Sequence, residues 1–194
     1  VMNRQRTAIY ALRNAILDGS DESERIDQMT GEVIEDSFAK WAPEGEYAAA
    51  WDHESFSAFF LRTFGIAVDL NSEENLKLNR PQLIELVTRQ VRDAHERRVA
   101  EFAAQDVDFK EIERMLLLQV LDQAWKNHLY ELDHLQKSVG LRAYGQKDPL
   151  IEYQKESFAL YSAMLDRVRD QVVDYLFKIQ LPPRRVEQPP LERP

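Results

Sequence analysis

The polar side chains best suited to chemistry fall together on one predicted helix. They are three carboxylates, Asp122, Glu131 and Asp133, and two histidines, His128 and His134. Acid–base catalysis needs two groups that converge on a pocket with separated pKa values, and an exposed helix face offers neither. The histidines are six residues apart, so they lie on different helix faces and a two-histidine metal site is not expected. The pattern therefore predicts solvated carboxylates, with no catalytic residue and no metal ligand.

A second polar segment, residues 140–148, separates two long apolar patterns and carries Tyr144. A tyrosine ring offers apolar area to any side chain, and its hydroxyl can bond to any backbone. Two interpretations are open: an ordinary loop tyrosine, or a contact residue for another polypeptide. The charged neighbours either keep this tip soluble or contact a partner. The candidate contact residues are Leu141, Arg142, Tyr144, Gln146 and Lys147.

Helices are predicted on both sides of the tip from residues that typically start or end a helix. Asp108 and Glu111 have the spacing of a capping box, so a helix should start there. Gly140 is expected to end it. Asp148 is a favourable N-cap and Pro149 a favourable first helical residue, so a second helix should start directly after the tip.

Each of these helices carries apolar residues in alternating steps of three and four, which is the seam of a helix pair. Because the helices run in opposite directions from the tip, the sequence predicts an antiparallel hairpin. Its core also includes His128, expected to bond to Tyr161 or to backbone. The predicted opposing pairs are Leu118 with Val172, Leu121 with Val168, Trp125 with Leu165, His128 with Tyr161 and Leu132 with Phe158.

The rest of the chain divides by composition. Residues 1–20 read as the end of a helix with an apolar stripe, stopped by Gly19. Residues 21–105 carry many aromatics and should form a small helical subdomain with a core of its own, built on four phenylalanines, and with a loop at 66–78. Residues 106–181 hold the hairpin, and residues 182–194 are a proline-rich linker. The four phenylalanines are Phe56, Phe59, Phe60 and Phe64.

Composition excludes several function classes for these 194 residues. The net charge of -9 argues against a general nucleic-acid binder, because an acidic body repels phosphates. There is no cysteine, hence no disulfide and no thiolate metal site. The longest strictly apolar run, residues 115–118, is far shorter than the roughly 20 residues that span a bilayer. The expected fold class is all-α, and the chain is expected to be soluble.

One motif is specific enough to suggest a family. The residues Leu121, Asp122, Trp125, His128 and Leu129 resemble the Leu-Asp-x-x-Trp-x-x-His-Leu signature of the bacterial preprotein translocase motor SecA. The tip and the residues that follow it are also similar, as is the opening Asn-Arg-Gln-Arg run. On this resemblance the chain is a C-terminal fragment: the end of a scaffold helix, an inserted helical wing and a two-helix finger. At the tip the small residues Ala143 and Gly145 are exchanged relative to the usual family order.

The resemblance implies a mechanical role in an ATP-driven motor. The family binds ATP and magnesium in two nucleotide-binding domains, and its finger tip contacts the secretory preprotein at the SecYEG channel. The implied partners are that channel, the preprotein and the motor's own nucleotide-binding domains. The implied location is the cytoplasm, peripheral at the inner face of the bacterial plasma membrane. This sequence has no phosphate-binding Gly-x-x-x-x-Gly-Lys-[Ser/Thr] loop, so the fragment itself should bind no cofactor and hydrolyse no ATP. The family's zinc-binding tail is also missing from it.

An alternative from another class is a free-standing helical adaptor, which would dock a partner on the outer face of the hairpin. That function predicts a second apolar stripe on the outside. The sequence offers only scattered candidates for it, namely Leu117, Ala124, Leu129, Tyr130 and Met164.

Overall fold

The computed structural model describes residues 1–19, 21–45, 50–142 and 148–181, with only the backbone described for 140–142. Over these ranges the regular structure is helical, and the all-α fold class is confirmed. A short 3-10 turn, Asn75–Lys77, interrupts the predicted loop. The helices are α1 (Met2–Leu17), α2 (Ser23–Trp41), α3 (His53–Phe64), α4 (Arg80–Ala103), α5 (Phe109–Arg142) and α6 (Pro149–Leu176).

Local signals set most helix ends. Gly19 follows α1 with a φ of 82°, in the left-handed region that glycine enters without cost. Asp108 caps α5 as predicted, because its Oδ1 accepts from the Lys110 N–H at 3.0 Å. The predicted capping box is wrong in its second half, since the Glu111 carboxylate pairs with Arg114 at 2.6 Å instead. A complete capping box stands at the start of α4, between Asn79 and Gln82.

The predicted hairpin is present. α6 starts at Pro149, and Asp148 accepts from the Leu150 N–H at 2.8 Å. The expectation that Gly140 ends α5 is wrong, because the helix continues to Arg142. A glycine weakens a helix interior by roughly 0.5–1 kcal/mol, which an established helix tolerates. With 34 residues at a rise of 1.5 Å each, α5 is about 51 Å long.

The helix α1 packs along α5, as expected for a scaffold helix beside the hairpin. Its stripe residues Ile9 and Ile16 are fully buried. On the outer edge of the contact, Arg13 Nε donates to Asp122 at 2.9 Å. None of the described helices combines the length and the apolar character needed to cross a membrane.

The prediction that residues 21–105 form a core of their own is wrong. Phe56, Phe60 and Phe64 are buried, but they belong to one apolar cluster that continues through α5 and α6 to α1. The rings of Phe64 in α3 and Phe177 after α6 are 4.9 Å apart, edge to face. Aromatic spacing predicts a buried face, whereas the partner of that face is set by the tertiary packing.

Candidate functional site

The candidate site is the α5–α6 hairpin, from its tip to its base. On α5, four of the predicted core residues are buried: Leu121, Trp125, His128 and Leu132. Leu118 is only half-buried, because Leu117, one position earlier, is the residue that points fully inward. The predicted opposition of His128 and Tyr161 is confirmed, with ring centroids 5.8 Å apart.

On α6 the predicted core is partly wrong. Val168 and Val172 are buried as expected, but Phe158 is 68% exposed and Leu165 is 37% exposed. Their places are taken by Ser157 and Met164, both fully buried. Two adjacent stripes of α6 share the same three-and-four spacing, and periodicity alone cannot separate neighbouring faces of one helix.

Phe158 and Leu165, which are not in the core, form an apolar stripe with Ile151 on the outside of α6. Ile151, Phe158 and Leu165 are seven residues apart and 60%, 68% and 37% exposed. Of the outer-face candidates on α5, Leu129 and Tyr130 are exposed. Of the other three candidates, Ala124 is half-buried, and Leu117 and Met164 are fully buried in the core.

A buried polar junction joins α1 to both helices of the hairpin. Gln5, His128 and Ser157 are all at most 7% exposed. The Gln5 side-chain amide donates from Nε2 to the Ser157 carbonyl oxygen at 3.1 Å. Its Oε1 lies 3.0 Å from His128 Nε2. The expectation that His128 bonds to Tyr161 or to backbone is therefore wrong: its partner is a side chain of α1.

The junction fixes the protonation of His128. Because Gln5 Oε1 can only accept, His128 Nε2 must carry the proton and donate. The buried Nδ1 has no hydrogen-bond partner within the described part of the chain. Burial lowers the pKa of His128 below its usual value, since a charged ring would be poorly solvated there. His128 is consequently a neutral imidazole at neutral pH.

The three carboxylates considered as candidates for chemistry lie in separate ion pairs and do not converge. Asp122 pairs with Arg13 at 2.9 Å, Glu131 with Arg167 at 3.1 Å and Asp133 with Lys137 at 2.6 Å. The hydrogen bond from Lys137 holds the pKa of Asp133 below its usual value. Among the described residues, no three His, Asp or Glu side chains come close enough together to hold a metal ion.

Several polar contacts at the hairpin base tie it to the wing, and neither of the two that follow was predicted from the sequence. His95 Nε2 of α4 lies 2.7 Å from Glu113 Oε1 of α5, and the Glu113 residue is 2% exposed. Arg169 of α6 pairs with Asp36 of α2 at 2.6 Å. Of the polar residues in these contacts and in the junction, Gln5 alone could have been suggested by the sequence, because it lies seven residues before Leu12 on the apolar stripe of α1.

The side chains predicted to contact polypeptide at the tip are not among those that the structure describes. Tyr144, Gln146 and Lys147 lie outside the described residues, and for Leu141 and Arg142 only the helical backbone is described. Their contacts therefore stay a prediction.

Comparison with known proteins decides the family. Residues 1–180 match the family model for the SecA Wing and Scaffold domain. The chain belongs to the SecA family. The match includes α1, the wing and the hairpin, so all the helices described above lie within the SecA domain.

Several SecA proteins are similar over nearly the whole chain. The protein translocase subunit SecA of Elusimicrobium minutum (strain Pei191) is 50% identical over 189 residues, which are 97% of this chain and 22% of that protein. SecA of Endomicrobium trichonymphae is 43% identical over 182 residues, 93% of this chain and 21% of that protein. SecA of Solibacter usitatus (strain Ellin6076) is 36% identical over 181 residues, 93% of this chain and 18% of that protein. The chain thus spans about a fifth of the length of the curated relatives that it matches.

Proposed function

We propose that this chain is the non-catalytic lever of a SecA translocase. In this role it couples nucleotide-dependent motion elsewhere in the motor to movement of secretory preproteins through the SecYEG channel. The observation that carries the proposal is the hairpin: α5 alone is about 51 Å long and is packed against α6 along its length. A stiff element of this kind transmits displacement from base to tip.

The hairpin has contacts through which it could receive such a displacement. His95 and Glu113 join the hairpin to α4, Arg169 joins it to α2, and Gln5 joins it to α1. Motion of the wing or of α1 would therefore be passed to the hairpin through these contacts. No nucleotide chemistry is assigned to this chain. ATP and magnesium would act in the nucleotide-binding domains of a longer protein, and this lever needs no cofactor of its own.

The tip would be the contact with cargo and channel, through Tyr144 and its neighbours. A photo-crosslinker placed at Tyr144 in an intact motor should label both SecYEG and a stalled preprotein. Tyr130, a 61% exposed tyrosine of α5 outside the tip, is the matched control position and should label neither. Tyr144→Ala should impair transport with unchanged helix content, and Tyr144→Phe should be milder. Labelling at Tyr130 but not at Tyr144 would refute the tip assignment.

The scaffold part would bind and regulate the motor's ATPase domains, with the complex peripheral at the cytoplasmic face of the membrane. Adding the chain to a SecA protein truncated before this region tests that step directly. We expect a complex in size-exclusion chromatography and a changed rate of ATP hydrolysis. If the two proteins elute separately and the rate of ATP hydrolysis is unchanged, the scaffold role is ruled out. The crosslinking result at the tip would not depend on this outcome.

A second candidate function, a helical adaptor, is favoured by the exposed stripe Ile151, Phe158 and Leu165 on α6. Contiguous exposed apolar residues mark docking surfaces. The two functions differ in what this surface binds. For the lever, Phe158→Ser should weaken the complex with the truncated SecA protein. An adaptor would give no such complex, with or without the substitution.

A further inference from the structure

The contact between α1 and the hairpin is mostly apolar, and apolar contacts specify axial position weakly. The buried α1 side chains along it include Ile9 and Ile16, which are similar in size and seven residues apart. Aliphatic side chains of this kind can exchange places with little change in the area buried. A slide of α1 by two helical turns, which is seven residues, would therefore bring one isoleucine to the place of the other and retain part of the apolar packing.

The Gln5 junction does not tolerate such a slide. A slide of two turns places Leu12 opposite His128 in one direction and carries Gln5 to the place of Leu12 in the other. In both cases the Nε2 proton of His128 loses its acceptor. His128 is 0% exposed, so water cannot replace the lost partner. A buried donor left without an acceptor is costly, whereas the native position satisfies both ends of the Gln5 amide at once.

We propose that Gln5 is a register lock, which holds the α5–α6 hairpin at one axial position on α1 through its paired hydrogen bonds to His128 and Ser157. Single buried polar residues fix register in helix pairs at some cost in stability. The other polar contact across this surface, Arg13 with Asp122, has side chains 39% and 48% exposed. Exposed pairs contribute little, so that contact is not the lock.

The test is a spin-label distance measurement on the full chain, whose lack of cysteine permits site-specific labelling. Tyr10→Cys in α1 and Tyr175→Cys in α6 place labels on two exposed positions, 51% and 47% accessible. The otherwise unaltered chain should give one narrow distance population. Gln5→Leu should add a second population, shifted by up to about 10 Å, two helical turns. It should also lower the folding equilibrium constant roughly tenfold.

Two further variants separate register from stability. Gln5→Leu combined with His128→Leu removes the unpaired donor, so the folding equilibrium should recover while the distance distribution stays broad. Arg13→Leu, the control, should keep the single population. A narrow distribution in the folded Gln5→Leu chain, or its return in the double variant, would overturn the lock. So would a nitrogen NMR spectrum showing the proton of His128 on Nδ1, because Nε2 would then have nothing to donate. Should Gln5→Leu fail to fold, the double variant still decides.

Discussion

Replacing His95 with leucine is expected to destabilise the protein more than its partial exposure suggests. The substitution keeps most of the apolar contact with Phe109 and Phe177, whose rings lie 5.6 Å and 6.0 Å from the His95 ring. What it removes is the 2.7 Å partner of Glu113. The Glu113 side chain is 3% exposed, so its carboxylate would be left in the protein interior without this partner.

The size of the effect follows from burial. Removing one partner of a buried pair costs about 3–5 kcal/mol. The lower value, about 3 kcal/mol, applies because His95 keeps 19% of its side-chain surface in water. For a chain of this size that loss would lower the melting temperature by roughly 6–12 °C. Adding Glu113→Leu should restore most of the stability, since the double variant no longer buries a lone carboxylate.

Urea unfolding followed by far-UV circular dichroism measures the free energy directly. Lys137→Ala is the control, because its pair with Asp133 is exposed on both sides and should contribute little to stability. A loss for His95→Leu no larger than that of the control would refute the reasoning. So would a double variant less stable than either single one, since the two losses would then be independent packing defects.

The remaining predictions use the same unfolding measurement. Because burial lowers the pKa of His128, the unfolded chain binds the proton more readily, and the free energy of unfolding should fall as pH drops below about 6.5. His128→Gln should flatten this pH dependence. An unchanged slope in that variant would contradict the assignment to His128. Trp125→Ala should lower the free energy of unfolding by about 3–5 kcal/mol because the residue is buried. Phe158→Ala, on the exposed face of α6, should change it by no more than about 0.5 kcal/mol. Equal losses would show that the inward face of α6 is wrongly placed. Gly31→Ala, in α2 with open space around the added methyl, should stabilise by about 0.5–1 kcal/mol. By contrast, Gly65→Ala, at a φ of 70°, should cost about 1–2 kcal/mol, and a gain at Gly65 would be inconsistent with that conformation.

Much of the hairpin could be predicted because its information is local. Asp148 and Pro149 specify a helix start by their own hydrogen-bonding and φ preferences, and the Trp125–His128 spacing specifies a buried face. The pairing of His128 with Tyr161 followed from the position of the tip. Those inferences needed no knowledge of the rest of the molecule.

The errors arose where a third element decides the outcome. Phe158 is a better core residue than Ser157 by hydrophobicity alone, yet α1 approaches α6 at Ser157, and Gln5 bonds to its backbone. Gln5 was not singled out from the sequence, and only its two partners reveal its role. Three of the four phenylalanines of α3 were correctly predicted as buried, with Phe59 only partly so, but the sequence holds no local sign that Phe64 meets Phe177.

The hydrogen bond from Gln5 to Ser157 joins residues 152 positions apart, with the entire wing between α1 and α5. Closing a flexible chain of that length carries an entropic cost that grows with the logarithm of the loop length, whereas α5 ends at Arg142 and α6 begins at Pro149, close by in the sequence. We therefore expect the hairpin to form early and α1 to dock last, after the folded wing has brought its two ends together. Measured folding kinetics of an Ile9→Val variant would show this as faster unfolding with an unchanged folding rate. The wing would then act as a tether, because its folding reduces the entropic cost of docking α1.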